Sequence, residues 1–176
     1  MRVRACVRVY AWWFPLAVCL AMHALHTANP PLVHGGIKLS NCLLNASGTI
    51  KFANFGLRLI EREVLEATRS VNAEHLPYSY APEVLRHDLT RLEALSSQSV
   101  ELFESIPPLT DKADVYSLGV ILCELYTMQR PAQLKGITTM GSFVNKVCSS
   151  SLSLIPANLP AELHDLVALC LEPKVR

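Results

Sequence analysis

The side chains whose types and spacing point most directly to chemistry lie in residues 33 to 57, VHGGIKLSNCLLNASGTIKFANFGL. This stretch has the spacing of a loop that transfers a phosphoryl group, followed by a turn that binds a metal ion. Such a reaction needs one carboxylate to orient the attacking hydroxyl group and another to hold the metal ion at the phosphates. Gly36 and Asn54 stand where those two aspartates would be expected. The stretch is therefore an active site, the remains of one, or a chance match.

One local pattern precedes this stretch, and a second lies within it. An apolar run predicts a helix from about Phe14 to Thr27, and Asn29-Pro30-Pro31 ends it. The polar turn Asn45-Ala46-Ser47-Gly48 lies between Leu43-Leu44 and Ile50-Lys51-Phe52, an arrangement typical of a small β-hairpin.

The strongest helix pattern of the chain follows Thr110-Asp111, which is expected to cap it, and ends near Gln129-Arg130-Pro131. Because this helix is apolar on nearly all faces, it is expected to run through the middle of the domain. A weaker helical pattern covers residues 139 to 150, and an amphipathic helix is predicted from Ala161 to Leu171. The apolar residues of this last helix are Leu163, Leu166, Val167, Leu169 and Cys170.

Two stretches lack a clear hydrophobic period. Residues 57 to 78 are predicted to form a loop. Residues 86 to 110 are predicted to form a surface insertion with some helix, closed by Pro107-Pro108. Taken together, these patterns predict a mainly α fold with one small β-hairpin.

The N-terminal residues allow two interpretations. A basic start, an apolar run from Ala11 to Met22 and the small residues after it have the outline of a secretory signal peptide. The run is too short to span a bilayer alone. The alternative is a buried helix with Pro15 in its first turn. Only six residues separate Thr27 from His34, so removing the run would leave the loop unsupported, which favours the buried helix.

Composition indicates an apolar, globular protein. The formal charge is +1, from 16 basic and 15 acidic residues. The chain therefore lacks the excess of positive charge that is typical of proteins that bind nucleic acid. No two cysteines have the spacing of a zinc site or of a thioredoxin-like pair, and most lie in apolar stretches. These features predict reduced thiols in a cytoplasmic protein. The six cysteines are residues 6, 19, 42, 123, 148 and 170.

Four motifs in order resemble the eukaryotic protein kinases, specifically their C-terminal lobe. The stretch from His34 to Asn41 is similar to the His-Arg-Asp catalytic loop and keeps its seven-residue separation. Asn54-Phe55-Gly56 lies where the family has the metal-binding Asp-Phe-Gly turn. Ala81-Pro82-Glu83 resembles the end of the activation segment, and Asp114 to Gly119 resembles the start of the central helix.

The resemblance implies that the reacting groups are degenerate. Gly36 replaces the aspartate that takes the hydroxyl proton, and Lys38 lies where many relatives carry a lysine that contacts the phosphate. Asn41 and Asn54 offer neutral amides, which would hold a nucleotide and Mg²⁺ poorly. Losing both aspartates should lower the rate by orders of magnitude, since each such group supplies a factor of about 10² to 10⁴. His34 is interpreted as a structural residue packed under the loop.

The residues that support the fold are better preserved. In the family, the aspartate at the position of Asp114 accepts hydrogen bonds from the catalytic-loop backbone. Glu83 would pair with an arginine, for which Arg176 is the candidate, and Phe55 and Gly56 keep the rest of the metal-binding turn. Because the residues that hold the fold are present while the reacting residues are missing, the resemblance suggests a fold that is kept for binding.

The kinase resemblance covers residues 10 to 176 and leaves residues 1 to 9 as a poorly defined N-terminal segment. The sequence contains no Gly-x-Gly-x-x-Gly motif, so the N-terminal β-lobe is expected to be absent. The prediction is thus a partial protein kinase-like domain with an insertion at 86 to 110, from a longer product or a truncated gene model. ATP and Mg²⁺ would act as cofactors only in a longer product with an N-terminal lobe.

The predicted function is that of a pseudokinase: a scaffold or regulatory module that binds proteins through the activation segment and the 86–110 insertion. The long separation between Glu83 and Asp114, together with residues 48 to 57, resembles the TBC-domain-containing kinase-like proteins. One alternative is an active atypical serine/threonine kinase in which another carboxylate enters the loop. The other is a secreted or lumenal protein with a cleaved N-terminal signal, the only case in which a membrane partner is expected.

Overall fold

The computed structural model describes residues 13–55, 77–101, 108–131, 134, 137, 139–149 and 152–172. Within those ranges the chain forms five α-helices and one two-stranded antiparallel sheet, which confirms the prediction of a mostly helical fold with a small hairpin. The helices are α1 Trp13–His26, α2 Pro82–Ser97, α3 Lys112–Thr127, α4 Met140–Cys148 and α5 Ala161–Leu171. The strands are β1 Cys42–Leu44 and β2 Ile50–Phe52, and a 3₁₀ turn, Leu39–Asn41, precedes β1.

Helix α3 lies at the centre of the domain, as its apolar sequence predicts. Val120, Ile121 and Cys123 are buried and belong to three different apolar clusters, so successive faces of one helix serve separate parts of the core. The predicted cap is wrong, because Asp111 makes no side-chain capping bond. Its backbone is already helical, with φ −53° and ψ −23°, whereas a capping side chain needs an extended backbone.

Helix α5 packs closely against α3. A Cβ atom at Gly119 would lie 2.8 Å from the Cβ of Cys170, so only glycine allows the two helices this approach. Val167 and Cys170 are buried at this contact, whereas Leu166 and Leu169 are 49% and 70% exposed. The sequence pattern placed all of these residues on one apolar face. The buried stripe of α5 is narrower than its apolar sequence pattern, because α5 packs against α3 on one side only.

One face of helix α1 is part of the core, as the buried-helix interpretation expects, whereas Leu16 and Leu20 on this apolar helix are exposed. Val18 and Met22 are buried against Ile37, Ile50 and Ile121, so α1 packs under both the loop and the hairpin. Pro15 lies in the first turn, where its missing N–H group is harmless. No helix in the described ranges combines the length and the apolar character needed to cross a bilayer.

Helix α2 begins at Pro82, ahead of the insertion predicted from residue 86. Val84 and Leu85 are buried in the same cluster as Phe143 and Val147 of α4, so the first turn of α2 belongs to the core. Its later turns are the helical part expected of the insertion. Most of the loop predicted over residues 57 to 78 lies outside the described residues, as do residues 102 to 107.

The hairpin fixes the positions on either side of the candidate site. Cys42 pairs with Phe52, Leu43 with Lys51 and Leu44 with Ile50. The register brings residue 41, which precedes β1, beside residue 53, which follows β2, and the backbone N–H of Ala53 donates to the carbonyl of Asn41 at 2.9 Å. The hairpin therefore brings the loop that ends at Asn41 next to the turn that begins at Ala53.

Candidate functional site

The carboxylate of Asp114, at the start of α3, organises the catalytic-loop region. It is fully buried and accepts hydrogen bonds from the backbone N–H groups of His34 at 2.9 Å and Gly35 at 2.8 Å. The Nε2 atom of His26, at the end of α1, bonds to the same carboxylate at 2.9 Å. A buried charge needs such donors, because its desolvation would otherwise be costly. The bond that the kinase resemblance implies between Asp114 and the loop is present.

The imidazole of His34 packs beneath the turn that follows β2. It is 3% exposed, and its Nε2 atom lies 3.0 Å from the carbonyl oxygen of Ala53. Its ring meets Phe52 edge-on at 5.6 Å between centroids and lies 4.3 Å from the ring of Phe55. These contacts make His34 a packing residue that joins the loop to the turn.

Asn41 and Asn54, the two residues predicted at the metal position, bond to each other. The Nδ2 group of Asn54 donates to Oδ1 of Asn41 at 2.9 Å. The Nδ2 group of Asn41, which is 4% exposed, donates to the carbonyl of Gly36 at 3.0 Å. Asn54 has a left-handed backbone, with φ 65°, a conformation that asparagine tolerates better than most residues. The loop and the turn are thus joined by side-chain amides.

The arrangement does not fit the Mg²⁺ ion that the kinase resemblance implies. Mg²⁺ is held in proteins chiefly by carboxylates, phosphates and water, whereas both candidate ligands here are neutral amides. The side-chain oxygen of Asn41 already accepts a hydrogen bond from Asn54. In the described part of the chain, no cluster of three or more histidine, cysteine, aspartate or glutamate side chains is arranged to hold a metal ion.

Gly36 is buried against the side chain of Tyr80. A Cβ atom at Gly36 would have Cε1 and Oη of Tyr80 as its nearest neighbours, both at 3.5 Å, which is an ordinary contact distance. The space at this position would therefore accept the Cβ atom of alanine. At Gly35, where the family motif has arginine, φ is 69°, a left-handed value that favours glycine.

The remaining predicted site residues lie around this centre. Lys38 is half-buried directly before the 3₁₀ turn, and Phe55 is 48% exposed. Glu83 lies in the first turn of α2, where its charge adds to burial in raising the pKa of Tyr116 above its ordinary value. Gly56 and Arg176 lie outside the described residues.

A second group of contacts, which the sequence interpretation missed, holds residues 77 to 81 against α3. The hydroxyl of Tyr78 donates to Oε1 of Glu124 at 2.6 Å, and the guanidinium carbon of Arg130 lies 5.9 Å from the centre of the Tyr78 ring. Burial raises the pKa of both Tyr78 and Glu124. Glu124 is the only charged residue between positions 115 and 126, a signal that it needs a buried partner.

Ser117 adds a backbone contact to the same segment. Its hydroxyl group is buried and lies 2.8 Å from the carbonyl oxygen of Ser79 and 3.1 Å from that of Ala113. The activation-segment end is therefore attached to α3 at two points, one through Tyr78 and one through Ser79.

Comparison with known proteins finds relatives among the protein kinases. The family described as protein tyrosine and serine/threonine kinase matches residues 9–176. The chain is 36% identical over 114 residues to serine/threonine-protein kinase CTR1 of Arabidopsis thaliana, covering 65% of this chain and 11% of that protein. It is 31% identical over 152 residues to dual specificity protein kinase shkA of Dictyostelium discoideum, covering 85% of this chain and 25% of that protein.

A human relative also matches most of this chain and only a small part of its own length. Serine/threonine-protein kinase Nek5 of Homo sapiens is 24% identical over 157 residues, which cover 89% of this chain and 18% of that protein. The chain thus spans a quarter or less of the length of these relatives. Because the family match covers nearly all of the sequence, the chain belongs to the protein kinase family.

Proposed function

We propose that this chain is a catalytically impaired protein kinase domain, a pseudokinase, that acts as a protein-binding scaffold or regulatory module. The observation that carries the proposal is the hydrogen bond between the amides of Asn41 and Asn54 beside Gly36. Kinase chemistry needs carboxylates at the positions of Gly36 and Asn54. Here one position has no side chain, and the other presents an N–H donor to its neighbour.

The expected loss of activity follows from what each missing group does. A general base supplies a factor of about 10² to 10⁴ in rate, and Gly36 cannot act as one. The nearest atoms to a side chain at that position belong to the phenol of Tyr80, which is a weak base at neutral pH. Neutralising the phosphates is a separate contribution, and the amide of Asn54 provides no negative charge to hold a cation for it.

The proposal of a binding role draws support from the contacts that remain. Asp114 still fixes the loop backbone, and Ser117 and Tyr78 still attach the activation-segment end to α3. These interactions preserve the shape of the region without the reacting groups. A domain that has lost its catalytic groups but keeps the buried contacts that supported them is suited to binding partners through its surface.

A phosphotransfer assay tests the impaired chemistry. The native protein that contains this chain is assayed with ATP and Mg²⁺, beside a variant that combines Gly36→Asp with Asn54→Asp. We expect background activity in the native protein and a gain only in the double variant. Gly36→Ala, which the space beside Tyr80 accommodates, is the matched control for folding. Metal-dependent activity well above background in the native protein would overturn the proposal in favour of an active atypical kinase.

The proposed protein-binding surface includes the activation-segment end and the exposed part of α2. Leu89, on α2, is 39% exposed, and Val100, after α2, is 65% exposed. Single exposed apolar side chains are common on protein surfaces, so these two residues mark the proposed surface for a test and are not themselves evidence of binding. Proximity labelling of the native protein and of a Leu89→Glu, Val100→Glu variant tests this surface, with Leu44→Glu in β1 as the matched control. An unchanged set of labelled proteins would contradict it.

Two narrower proposals concern subfamily and location. Resemblance to the TBC-domain-containing kinase-like proteins is supported by the long separation between Glu83 and Asp114, part of which α2 fills. The sequence of the native transcript tests it, since a TBC domain should be encoded.

A cytoplasmic location is supported by the burial of Val18 and Met22, because cleavage of a signal peptide would remove them.

A further inference from the structure

We infer that the Asn41–Asn54 amide pair takes the structural place of a divalent cation and holds the turn after β2 against the loop without metal. This inference rests on the proposed function, since it identifies Asn54 with the metal-binding position of an impaired kinase. It goes further by saying what the asparagine contributes. In place of an ion that attracts two oxygen atoms, the N–H group of Asn54 binds the oxygen of Asn41 directly.

The direction of the amides is fixed by a neighbouring backbone group. The carbonyl of Gly36 accepts at 3.0 Å, so the group of Asn41 that faces it must be the Nδ2 donor. The Oδ1 atom of Asn41 then faces Asn54, which must offer its own Nδ2 group at 2.9 Å. The three groups form a chain of donors and acceptors that works in one orientation only.

Two contacts of the Ala53 backbone also attach the turn after β2 to the loop. The N–H of Ala53 donates to the carbonyl of Asn41 at 2.9 Å, and Nε2 of His34 lies 3.0 Å from the carbonyl of Ala53. The residue before Asn54 is thus tied to the loop through both its N–H and its C=O groups. The side-chain bond adds a third attachment next to them.

An aspartate at position 54 would remove this attachment. An ionised carboxylate has no N–H group, so it would place an acceptor opposite the Oδ1 acceptor of Asn41. Turning the amide of Asn41 would relieve that repulsion but would set its oxygen against the carbonyl of Gly36. A divalent cation between the two side chains resolves the conflict, because both oxygens are then ligands. Asparagine resolves it without the ion.

Thermal unfolding with and without metal tests this inference. The native protein and its Asn54→Asp and Asn54→Ala variants are melted in EDTA and in excess Mg²⁺. We expect the same Tm for the native protein in both solutions. In EDTA, the Tm of Asn54→Asp should fall by about 2 to 4 °C, the effect of one lost hydrogen bond. The Tm of Asn54→Ala should fall further, because alanine tolerates the left-handed backbone at position 54 less well than asparagine or aspartate. Mg²⁺ should restore the Tm of Asn54→Asp and leave that of Asn54→Ala low.

The matched control is Asn45→Asp in the hairpin turn. Asn45 acts through its Oδ1 atom, which accepts from the N–H of Thr49 and the hydroxyl of Ser47, both at 2.8 Å. Aspartate keeps that acceptor and adds the same charge at the opposite end of the same hairpin. Its Tm should therefore match that of the native protein in both solutions.

Three results would overturn the inference. They are a Mg²⁺-dependent rise in the Tm of the native protein, equal responses of Asn54→Asp and Asn45→Asp, and a fall in Asn54→Asp that Mg²⁺ does not reverse. If Asn54→Asp does not fold, hydrogen exchange at the amide of Ala53 in the native protein decides, because the inference requires equal protection with EDTA and with Mg²⁺. None of these measurements reads phosphotransfer, so the proposed function stands or fails separately.

Discussion

The carboxylate of Asp114 accepts a hydrogen bond from the backbone N–H of His34 at 2.9 Å, across 80 residues of sequence. Its other oxygen, Oδ1, accepts from the N–H of Gly35, and Nε2 of His26 in α1 bonds to Oδ2, the same oxygen that accepts from His34. One fully buried side chain thus joins the first helix, the loop and the central helix. The loop keeps its shape through this junction even though Gly36 provides no reacting group.

Replacing Asp114 with alanine should destabilise the domain strongly. The change leaves two buried backbone N–H groups without their acceptor, and we expect a loss of about 3 to 5 kcal/mol in the free energy of unfolding. Asp111→Ala is the matched control, because Asp111 is exposed and makes no capping bond. Its effect should stay within about 0.5 kcal/mol. Urea unfolding measures both, and equal effects would contradict this role of Asp114.

Replacing Gly119 with alanine should also destabilise the domain. The new Cβ atom would lie 2.8 Å from Cβ of Cys170 and 3.0 Å from Cδ2 of Leu171, so α3 and α5 would have to separate. We expect a loss of about 1 to 3 kcal/mol. Gly141→Ala in α4 is the matched control, since a Cβ atom there meets nothing within 4 Å.

The control should be neutral or stabilising by up to about 1 kcal/mol, because alanine favours helix more than glycine does. Denaturant unfolding of the two variants compares them directly. A Gly119→Ala variant as stable as Gly141→Ala would show that the helices are not in close contact.

The burial of Glu124 should produce a pH dependence of stability. Burial raises the pKa of Glu124 above its ordinary value of 4.5, so the folded state holds a proton that the unfolded state has released. Between 4.5 and the raised value, the free energy of unfolding therefore falls as pH rises, and above that value this effect is constant.

The variant Glu124→Gln lacks this titration and can still accept the hydroxyl bond of Tyr78. As pH rises through the window, the native protein should lose stability relative to the variant. Urea unfolding at several pH values measures the difference, in which the contributions of the other acidic groups cancel. Parallel curves for the two proteins would contradict the raised pKa.

The native polypeptide should retain helix α1. Cleavage after about residue 25 would remove Val18 and Met22 from the core and would detach His26 from most of its helix. N-terminal sequencing and intact mass of the protein purified from its native cells measure this directly. A folded mature chain that begins after residue 25 would support the secreted alternative and contradict the buried-helix interpretation.

Thiol reactivity should follow burial. The pKa of Cys42 and of Cys123 is raised by desolvation to about 11, so little reactive thiolate forms near neutral pH. Cys19 is exposed on α1. Alkylation of the native protein at pH 8, followed by peptide mass spectrometry, should label Cys19 before the other two. Faster labelling of Cys123 would mean that the contact between α3 and α5 opens readily.

Four of the five described helices could be predicted from the sequence because their signals are local, whereas α2 was expected only as some helix within an insertion from residue 86. The apolar run around Val18 predicts helix α1, and the amphipathic pattern that ends at Leu171 predicts helix α5. The structure confirms the ends of both helices within one or two residues. The turn at residues 45 to 48 predicts the hairpin for the same reason. The cap at Asp111 was predicted wrongly, because a side chain can cap a helix only where the chain enters it in an extended conformation.

The sequence alone determined which reacting groups are present, since Gly36 and Asn54 cannot supply carboxylates in any fold. Only the tertiary structure decided what replaces them. The bond between Asn41 and Asn54, and the contact of Tyr80 with Gly36, join residues 13 and 44 positions apart. Such pairs form because the hairpin and α3 bring distant backbone segments together, and the direction of each hydrogen bond then depends on the neighbouring donors and acceptors.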